Sequence, residues 1–346
     1  MTTGEEPLKV AHDAVNSYEQ TVNAILSFAA FIVHDGNNKR PDSEFGIGRR
    51  MTTSKENPIA SNIDITPDIV AQKSGKYGVV AEVKRSLSKN QKTWVKHIRR
   101  LRKYDDRLKG WWIEKERIPH SDTIFLIHQS HERLFTRFLE AKKESEPELV
   151  GPNTCVVQFN YSEERVTYIF FRLEFGNLHD LKLNQRLDEG VSIPLDDVRI
   201  SFPIIHFYDA PPPMPWLLLR LWTDLFPAMI EGGEWDEKTQ STKIKVSIPE
   251  ITDELQKAFG SKALRHDHRS GEFPKKRWVR EALERLIKYK FATPSDSEDG
   301  NYIIYYKFFK KGDVLERFIK LELGKSDVRQ TEDERQLKMF PDLVDE

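Results

Sequence analysis

Four prolines, at positions 211, 212, 213 and 215, divide this chain. Consecutive prolines interrupt a helix or an inner strand, because each lacks an amide hydrogen and has a fixed φ angle. The 346 residues also exceed the usual size of a single domain. We therefore expect one domain over residues 1–209 and a second over residues 210–325. The polar and acidic residues 326–346 should form a flexible tail.

Charge and cysteine content limit the classes of protein that fit. Lys plus Arg number 54 and Asp plus Glu number 55, so the total charge does not identify a partner. The single cysteine, Cys155, cannot form an internal disulfide, which fits a cytoplasmic location, and we expect it to pack inside a strand. We see no leader sequence and no apolar run long enough for a bilayer, so no membrane partner is expected. The sequence also lacks a Gly-rich phosphate loop, a GxSxG motif and a dinucleotide fingerprint.

The first 130 residues alternate between helical and strand-like patterns. Apolar residues recur mostly at helical spacing from Pro7 to about His34, and alternating runs over 63–70 and 77–84 flank a turn at 74–76. A second helix is predicted over about 89–108, followed by a buried strand at 122–128. This order predicts an α/β fold with a mixed sheet flanked by helices. Strand-like runs at 155–159 and 166–175 would extend that sheet.

Two carboxylates and a lysine lie on the predicted hairpin. Asp68 ends the first strand, while Glu82 and Lys84 are two residues apart on the second and therefore share one face. Paired carboxylates on one face suit Mg²⁺ or Mn²⁺, which prefer oxygen ligands. Lys84 would orient the attacking water, stabilise the transition state by its charge, or act as general base if its pKa were lowered.

These residues resemble a known family motif. Pro67-Asp68, a gap of thirteen residues and then Glu82-Val83-Lys84 are similar to the PD-(D/E)xK nuclease superfamily. The resemblance implies a restriction-endonuclease-like core of helix, three strands, helix and strand, although the first strand, between about 47 and 53, is poorly marked. It also implies a further glutamate, for which Glu44 is favoured over Glu19. The alternatives are an ordinary surface hairpin and, for Glu44, an exposed loop charge.

The second predicted helix follows this motif and is strongly basic. Residues 84–109 contain 11 Lys or Arg but only two acidic residues, and the basic residues fall opposite the apolar stripe of Trp94, Ile98, Leu101 and Leu108. A face of one sign favours a phosphate backbone, whereas a solvated amphipathic face is the alternative. The expected nucleic-acid contacts are Gln91, Lys92, Lys96, Arg99, Arg100 and Lys103.

The second domain shows the order helix, strand, helix, helix and hairpin, which resembles a winged helix-turn-helix. The helix opened by Pro274 begins with exposed basic residues and buries Val279, Leu283 and Leu286. In helix-turn-helix proteins the start of the second helix contacts DNA, although winged helices also bind proteins. The expected contacts here are Lys275, Lys276, Arg277 and Arg280.

A short segment near the end of the chain suggests a protein partner. Gln336-Leu337-Lys338-Met339-Phe340 resembles the pentapeptide with which bacterial proteins bind the replicative sliding clamp. A flexible end can place Leu337, Met339 and Phe340 in an apolar groove as it orders. The alternative is a chance match in a segment that packs on the protein itself.

Together these patterns predict a Mg²⁺-dependent or Mn²⁺-dependent deoxyribonuclease, with Asp68 and Glu82 as metal ligands. An endonuclease acting in restriction, repair or antiviral defence is expected, and cleavage of both DNA strands would favour a homodimer. The alternative from another class is a non-catalytic DNA-binding or regulatory protein that uses the basic helix and the winged helix. An RNA-directed nuclease stays open as a third possibility, although no aromatic stacking platform in the sequence favours it.

Overall fold

In the computed structural model the chain folds into two compact units. One comprises Gln20–Asp209 with Gly260–Ser270, and the other comprises Met1–Glu19, Ala210–Phe259 and Gly271–Glu346. The structure describes residues 5–33, 45–48, 51–53, 64–65, 67–73, 77–88, 90–102, 108–109, 120–201, 207, 210–257, 274–295, 300–309 and 311–324. The opening helix contributes to both units, and each unit is described by itself below.

The unit centred on residues 20–209 alternates strands with helices. Each long strand is rich in Val, Ile and Phe, and most helices carry an apolar stripe. In chain order the elements are α1 (Glu5–Val33), β1 (Phe45–Gly48), β2 (Met51–Thr53), β3 (Asp64–Ile65), β4 (Ile69–Lys73), β5 (Tyr77–Lys84), α2 (Gln91–Leu101), β6 (Leu108–Lys109), β7 (His120–His128), α3 (Gln129–Ser145), β8 (Thr154–Ser162), β9 (Thr167–Phe175), α4 (Leu181–Glu189), β10 (Val191–Pro194) and α5 (Leu195–Ser201).

Seven of the described strands form one mixed sheet. Its order is β1-β4-β5-β7-β8-β9-β10, and β5, β7 and β8 run parallel at its centre while the outer pairs are antiparallel. The strands β3, β2 and β6 pair in a second small sheet. The predicted α/β fold with a mixed sheet flanked by helices is therefore confirmed, and β8 and β9 extend the sheet as expected.

Helices α2 and α3 cover one face of the central strands. Trp94 of α2 contacts Phe135 and Phe138 of α3 edge to face, and Phe135 packs in the same way on Phe125 of β7. Residues 124–127 of β7 are all buried, so both faces of this strand are covered. Each such side chain contributes about 1.5–3 kcal/mol by leaving water. This packing fixes α2 beside the end of β5.

The second half of α1 packs on β9. Phe28 and Phe31 contact the ring of Phe170, and the Tyr168 hydroxyl donates to the Gln20 carbonyl at 2.8 Å. Residues 24–33 are almost completely buried, which explains why this stretch of the helix is apolar on all sides. Even so, none of the helices in the described ranges is long and apolar enough to cross a membrane.

Several local predictions need correction. The strand expected over 63–70 is divided, because Asp64–Ile65 pairs with β2 whereas the sheet strand begins at Ile69 and runs to Lys73. Helix α2 is shorter than predicted, and Leu108 lies in strand β6 rather than on the helix stripe. Trp94, Ile98 and Leu101 are buried as expected. Helices α3, α4 and α5 were not predicted.

The other unit contains most of the C-terminal half of the chain. Pro215 lies in the first turn of the first helix of this unit, where a missing amide hydrogen costs nothing, so the proline-rich stretch leads directly into a helix. The elements are α6 (Met214–Arg220), a π-helical turn (Leu221–Leu225), α7 (Phe226–Met229), a 3-10 turn (Ile230–Gly232), β11 (Glu234–Asp236), β12 (Ser241–Ser247), α8 (Ile248–Lys257), α9 (Lys276–Lys288), β13 (Ala292–Pro294), β14 (Asn301–Tyr306) and α10 (Lys311–Glu322).

These strands form an antiparallel sheet, and one tryptophan organises the core beside it. The sheet order is β11-β12-β14-β13. Trp222 is 1% exposed, and its indole N–H donates to the Lys307 carbonyl at 2.9 Å. Its ring lies within contact distance of the rings of Phe226, Phe291, Tyr306, Phe309 and Phe318.

Replacing Trp222 with alanine should therefore destabilise this unit by about 3–5 kcal/mol, through the lost burial and the cavity left behind. The matched control is Trp235→Ala, because Trp235 is 60% exposed on strand β11 and should change stability by less than about 0.5 kcal/mol. Urea unfolding followed by circular dichroism measures both. Equal shifts for the two variants would contradict this account of the core.

Candidate functional site

Asp68 lies directly before β4, where the β4–β5 pairing places it opposite Glu82. Ile69 pairs with Ala81 in antiparallel register, so the next position outward brings the two carboxylates together. The Val83 amide donates to Asp68 Oδ2 at 2.9 Å, which fixes this carboxylate against the neighbouring strand. Asp68 is only 4% exposed. The strand that follows Asp68, rather than one that precedes it, therefore holds the residue in place.

Glu82 and Lys84 project from the same face of β5, as their spacing predicts. Glu82 is 2% exposed, and Lys84 Nζ donates to its Oε2 at 3.0 Å. Its other oxygen, Oε1, lies 3.4 Å from Arg100 Nε of helix α2. A buried carboxylate is costly unless it is paired, and here both of its oxygens face a cation.

The charges around Lys84 decide its protonation. Burial alone would lower the pKa of Lys84, but the carboxylates of Glu82 and Asp68 outweigh this effect and raise the pKa above its usual value. The lysine is therefore an ammonium ion at neutral pH in this arrangement. This geometry does not favour the general-base option, and it leaves the roles of orienting water and stabilising charge.

Helix α2 places further groups beside these carboxylates. Its start is fixed by the Asn90 side chain, which accepts from the Lys92 amide at 2.9 Å, and by Trp94, whose indole donates to the Ser88 carbonyl at 2.6 Å. His97 lies one turn before Arg100 on this helix. Burial and the nearby Lys84 charge lower the pKa of His97, so its imidazole is neutral at neutral pH. Sequence reasoning missed His97, although its spacing from Arg100 placed both on one side of the helix.

The structure distributes the predicted nucleic-acid contacts differently. Gln91, Lys92, Lys96 and Arg99 are exposed on α2, whereas Arg100 is turned inward and is only partly exposed. The prediction that Arg100 belongs to the outward basic face is corrected, because its long side chain reaches Glu82. In the other unit, four basic side chains at the start of α9 are exposed, namely Lys275, Lys276, Arg277 and Arg280.

Other predicted residues fall outside this site or outside the described ranges. Glu19 is 2.8 Å from Arg220 in a partly buried ion pair of the other unit, which accounts for its charge. Glu44, Lys103 and the segment Gln336, Leu337, Met339 and Phe340 lie outside the residues that the structure describes. Cys155 is buried in β8, and its thiol approaches the Asn177 carbonyl at 3.1 Å, as its expected packing role requires.

The carboxylates of Asp68 and Glu82 are the groups at this site that could hold a divalent cation. No group of three or more His, Cys, Asp or Glu in the described ranges is arranged to hold a metal ion. Mg²⁺, however, is usually bound through one or two carboxylates, with water and substrate phosphate completing its shell. Asp68 and Glu82 face each other across two paired strands, are buried and offer oxygen donors. This donor set fits Mg²⁺ or Mn²⁺ in the presence of a phosphate substrate.

A second polar cluster lies at the other end of the same strands, and sequence reasoning missed it. Asp122 of β7 is completely buried and accepts from the Tyr77 hydroxyl at 2.5 Å and from the His179 ring and amide at 2.6 and 2.8 Å. Because Asp122 pairs with Val79, it faces away from Glu82. Gly176, at φ +77°, lets the loop turn toward this cluster. The sequence signal for this cluster is the single aspartate, Asp122, in a largely apolar strand.

Comparisons of the whole chain with protein-family models, with curated proteins and with solved structures found no match. The chemistry of the two clusters therefore rests on their own geometry. The Asp68–Glu82–Lys84 cluster combines two buried carboxylates with a cation beside an exposed basic helix. The Asp122 cluster instead satisfies one carboxylate with a tyrosine hydroxyl, a backbone amide and a histidine ring, and it joins the loop before α4 to the sheet.

Removing the Tyr77 hydroxyl tests whether it stabilises the buried Asp122 carboxylate. Burial and the adjacent Asp122 raise the pKa of Tyr77 well above its usual value, so the phenol donates throughout the neutral range. Tyr77→Phe would leave Asp122 one donor short and should cost about 1–3 kcal/mol in urea unfolding. Tyr161→Phe removes the same atom from a partly exposed ring and should cost less than about 0.5 kcal/mol. Equal costs would show that the hydroxyl of Tyr77 does not support the buried carboxylate.

Proposed function

We propose that this chain is a metal-dependent deoxyribonuclease of the PD-(D/E)xK type, with Asp68, Glu82 and Lys84 as its catalytic residues. One observation carries the proposal. Asp68 and Glu82 are buried opposite each other on paired strands, and the Lys84 ammonium lies 3.0 Å from Glu82. Such buried carboxylates and a lysine are expensive to assemble, and they are the groups that phosphodiester hydrolysis requires.

The arrangement of elements supports a restriction-endonuclease-like core. Among the elements of the seven-stranded sheet and its helices, the chain runs from α1 through β1, β4 and β5 to α2 and then β7, which is the order of helix, three strands, helix and strand that the motif implies. The strands β2, β3 and β6 interrupt this order and pair in the separate small sheet. The strands β1, β4, β5 and β7 are neighbours in the larger sheet, and β5 and β7 are parallel. The site also lies near the carboxyl end of β5, where sheets of this class commonly place their ligands.

Each residue has a defined part in the proposed reaction. Asp68, held by the Val83 amide, and Glu82 would bind the divalent cation. That cation, when bound, supplies hydroxide at neutral pH and offsets the charge of the scissile phosphate. Lys84, as an ammonium, would orient the attacking water and stabilise the pentavalent transition state by its charge. The exposed residues Lys92, Lys96 and Arg99 would hold flanking phosphates.

Cleavage assays on supercoiled and linear DNA test this assignment. Wild-type protein should cut in Mg²⁺ or Mn²⁺ and not in EDTA, and Asp68→Asn, Glu82→Gln and Lys84→Ala should each lower the rate about a hundredfold or more. The matched controls are Asp188→Asn and Glu163→Gln, because both carboxylates are exposed and distant in sequence from the site. Nicking of supercoiled plasmid would indicate an endonuclease, and loss of linear DNA alone an exonuclease.

Two results would contradict the proposal. Metal-dependent cutting that survives Asp68→Asn and Glu82→Gln would move the chemistry elsewhere. Binding of DNA without cutting, equal in EDTA and in metal, would favour the non-catalytic DNA-binding protein.

For the other unit we propose a winged helix-turn-helix that binds duplex DNA. The order β12, α8, α9, β13 and β14, with β14 between β12 and β13 in the sheet, supports this. Helix α9 buries Val279, Leu283 and Leu286 as its sequence predicts, and it leaves the basic residues at its start in solvent. The start of such a helix is where base edges and phosphates are contacted.

The salt dependence of DNA binding should distinguish residues that contact phosphate from basic residues that are exposed but do not contact DNA. Arg277→Ala and Arg280→Ala should each weaken binding and reduce the slope of log K against log salt by about one. Lys288→Ala, at the far end of the same helix and also exposed, should leave the slope unchanged. Fluorescence anisotropy with a labelled duplex measures all three. An equal effect of Lys288→Ala would contradict binding through the start of α9.

A further inference from the structure

We infer that Arg100 pairs with Oε1 of Glu82, the oxygen that would bind the metal, when no divalent cation is bound. When the divalent cation binds, Arg100 leaves this oxygen and contacts a DNA phosphate. This inference rests on the proposed nuclease function. In this scheme Arg100 couples the binding of the metal to the binding of DNA. A basic residue that contacted phosphate at all times would not provide this coupling. Arg100 is a positioning residue in this scheme, because it acts through Glu82.

The contacts of Glu82 carry the first step. Its Oε2 accepts from Lys84 Nζ at 3.0 Å, and its Oε1 lies 3.4 Å from Arg100 Nε. Glu82 is 2% exposed, so its two oxygens face these cations rather than bulk solvent. A divalent ion bound by Glu82 would lie beside both cations and repel them, so we expect one of the two side chains to move away.

The surroundings of the two cations identify Arg100 as the one that leaves. Lys84 extends from the same strand as Glu82, and its side chain is 17% exposed, so it has little room to turn away. The Arg100 side chain is 36% exposed and comes from α2, the helix that carries Lys92, Lys96 and Arg99 in solvent. The contact of Arg100 with Glu82 is also the longer of the two, since 3.4 Å exceeds both the 3.0 Å of Lys84 and the length of a usual charge-assisted hydrogen bond.

The destination of Arg100 follows from the same helix. A rotation of its side chain outward adds a fourth cation to the exposed basic face of α2. A guanidinium binds a phosphate through two parallel N–H groups, which suits the backbone of DNA. The divalent cation and the DNA would then favour each other's binding, because each stabilises the state in which Arg100 has left Glu82.

Metal affinity measured without DNA tests the inference. Titration calorimetry with Mn²⁺ should show that Arg100→Gln binds the ion about tenfold more tightly than wild type, because a competing unit charge beside the carboxylate is gone. Arg99→Gln is the matched control, since it removes the same charge from an exposed position one residue away and should change the affinity by less than about twofold. Arg100→Lys keeps the charge and should resemble wild type.

Thermal unfolding gives a second readout that does not depend on catalysis. In EDTA, Arg100→Gln should melt below wild type, because Glu82 has lost one of its two cations, and Mn²⁺ should restore more stability to this variant than to wild type. Circular dichroism at low temperature confirms that the variants are folded. Equal Mn²⁺ shifts for Arg100→Gln and Arg99→Gln would count against the inference.

The possible failures are distinguishable. If wild type binds Mn²⁺ and Asp68→Asn does not, but Arg100→Gln binds it no more tightly than Arg99→Gln, the role of Arg100 is wrong and the proposed site stands. If wild type binds no Mn²⁺, or Asp68→Asn binds it equally well, the proposed metal site is wrong and the inference fails with it.

Discussion

The buried carboxyl group of Glu82 inside the sheet is the constraint on which the rest of this site depends. A carboxylate that is 2% exposed needs charged or hydrogen-bonding partners, and Glu82 has a cation beside each of its oxygens. Lys84 comes from the same strand, and α2 provides the second cation through Arg100. The position of α2 is therefore fixed twice, by its apolar stripe and by this charge.

The two polar clusters on β5 and β7 show two ways to bury an acid. Glu82 is balanced by cations and lies near the carboxyl end of the strand, beside a basic helix. Asp122 lies on the opposite face and is satisfied by a phenol, an imidazole and an amide. The cations that pair with Glu82 can be exchanged for a metal ion. The hydrogen-bond donors around Asp122 satisfy its carboxylate completely, so an exchange of partners there would gain no stability. Under the proposed function, this difference would separate the metal-binding site from a structural cluster.

Sequence periodicity was sufficient for much of the fold and for the core of the site. The stripe of α2 and the alternation along β5 are local patterns, so they placed Trp94, Glu82 and Lys84 correctly. Helix α3 was not predicted for two reasons. Its N-cap is His128, an unusual residue for that position, and its short buried stripe includes the polar Glu132. Arg100 and Asp122 depend on contacts across the fold. A helical projection places Arg100 outward, and only the packing of α2 on the sheet shows that it reaches Glu82.

Gly176 illustrates how evolutionary constraint and chemistry can diverge. At φ +77° and in close contact with the Thr154 backbone, this position excludes every residue with a side chain, although it belongs to the loop beside the Asp122 cluster rather than to strand β5. Substitution of Gly176 would lower protein abundance, whereas under the proposed function substitution of Lys84 would lower turnover, so each position would be invariant for a different reason. A mutational scan that scores abundance and turnover separately would divide these two kinds of invariance, which a conservation profile alone would merge.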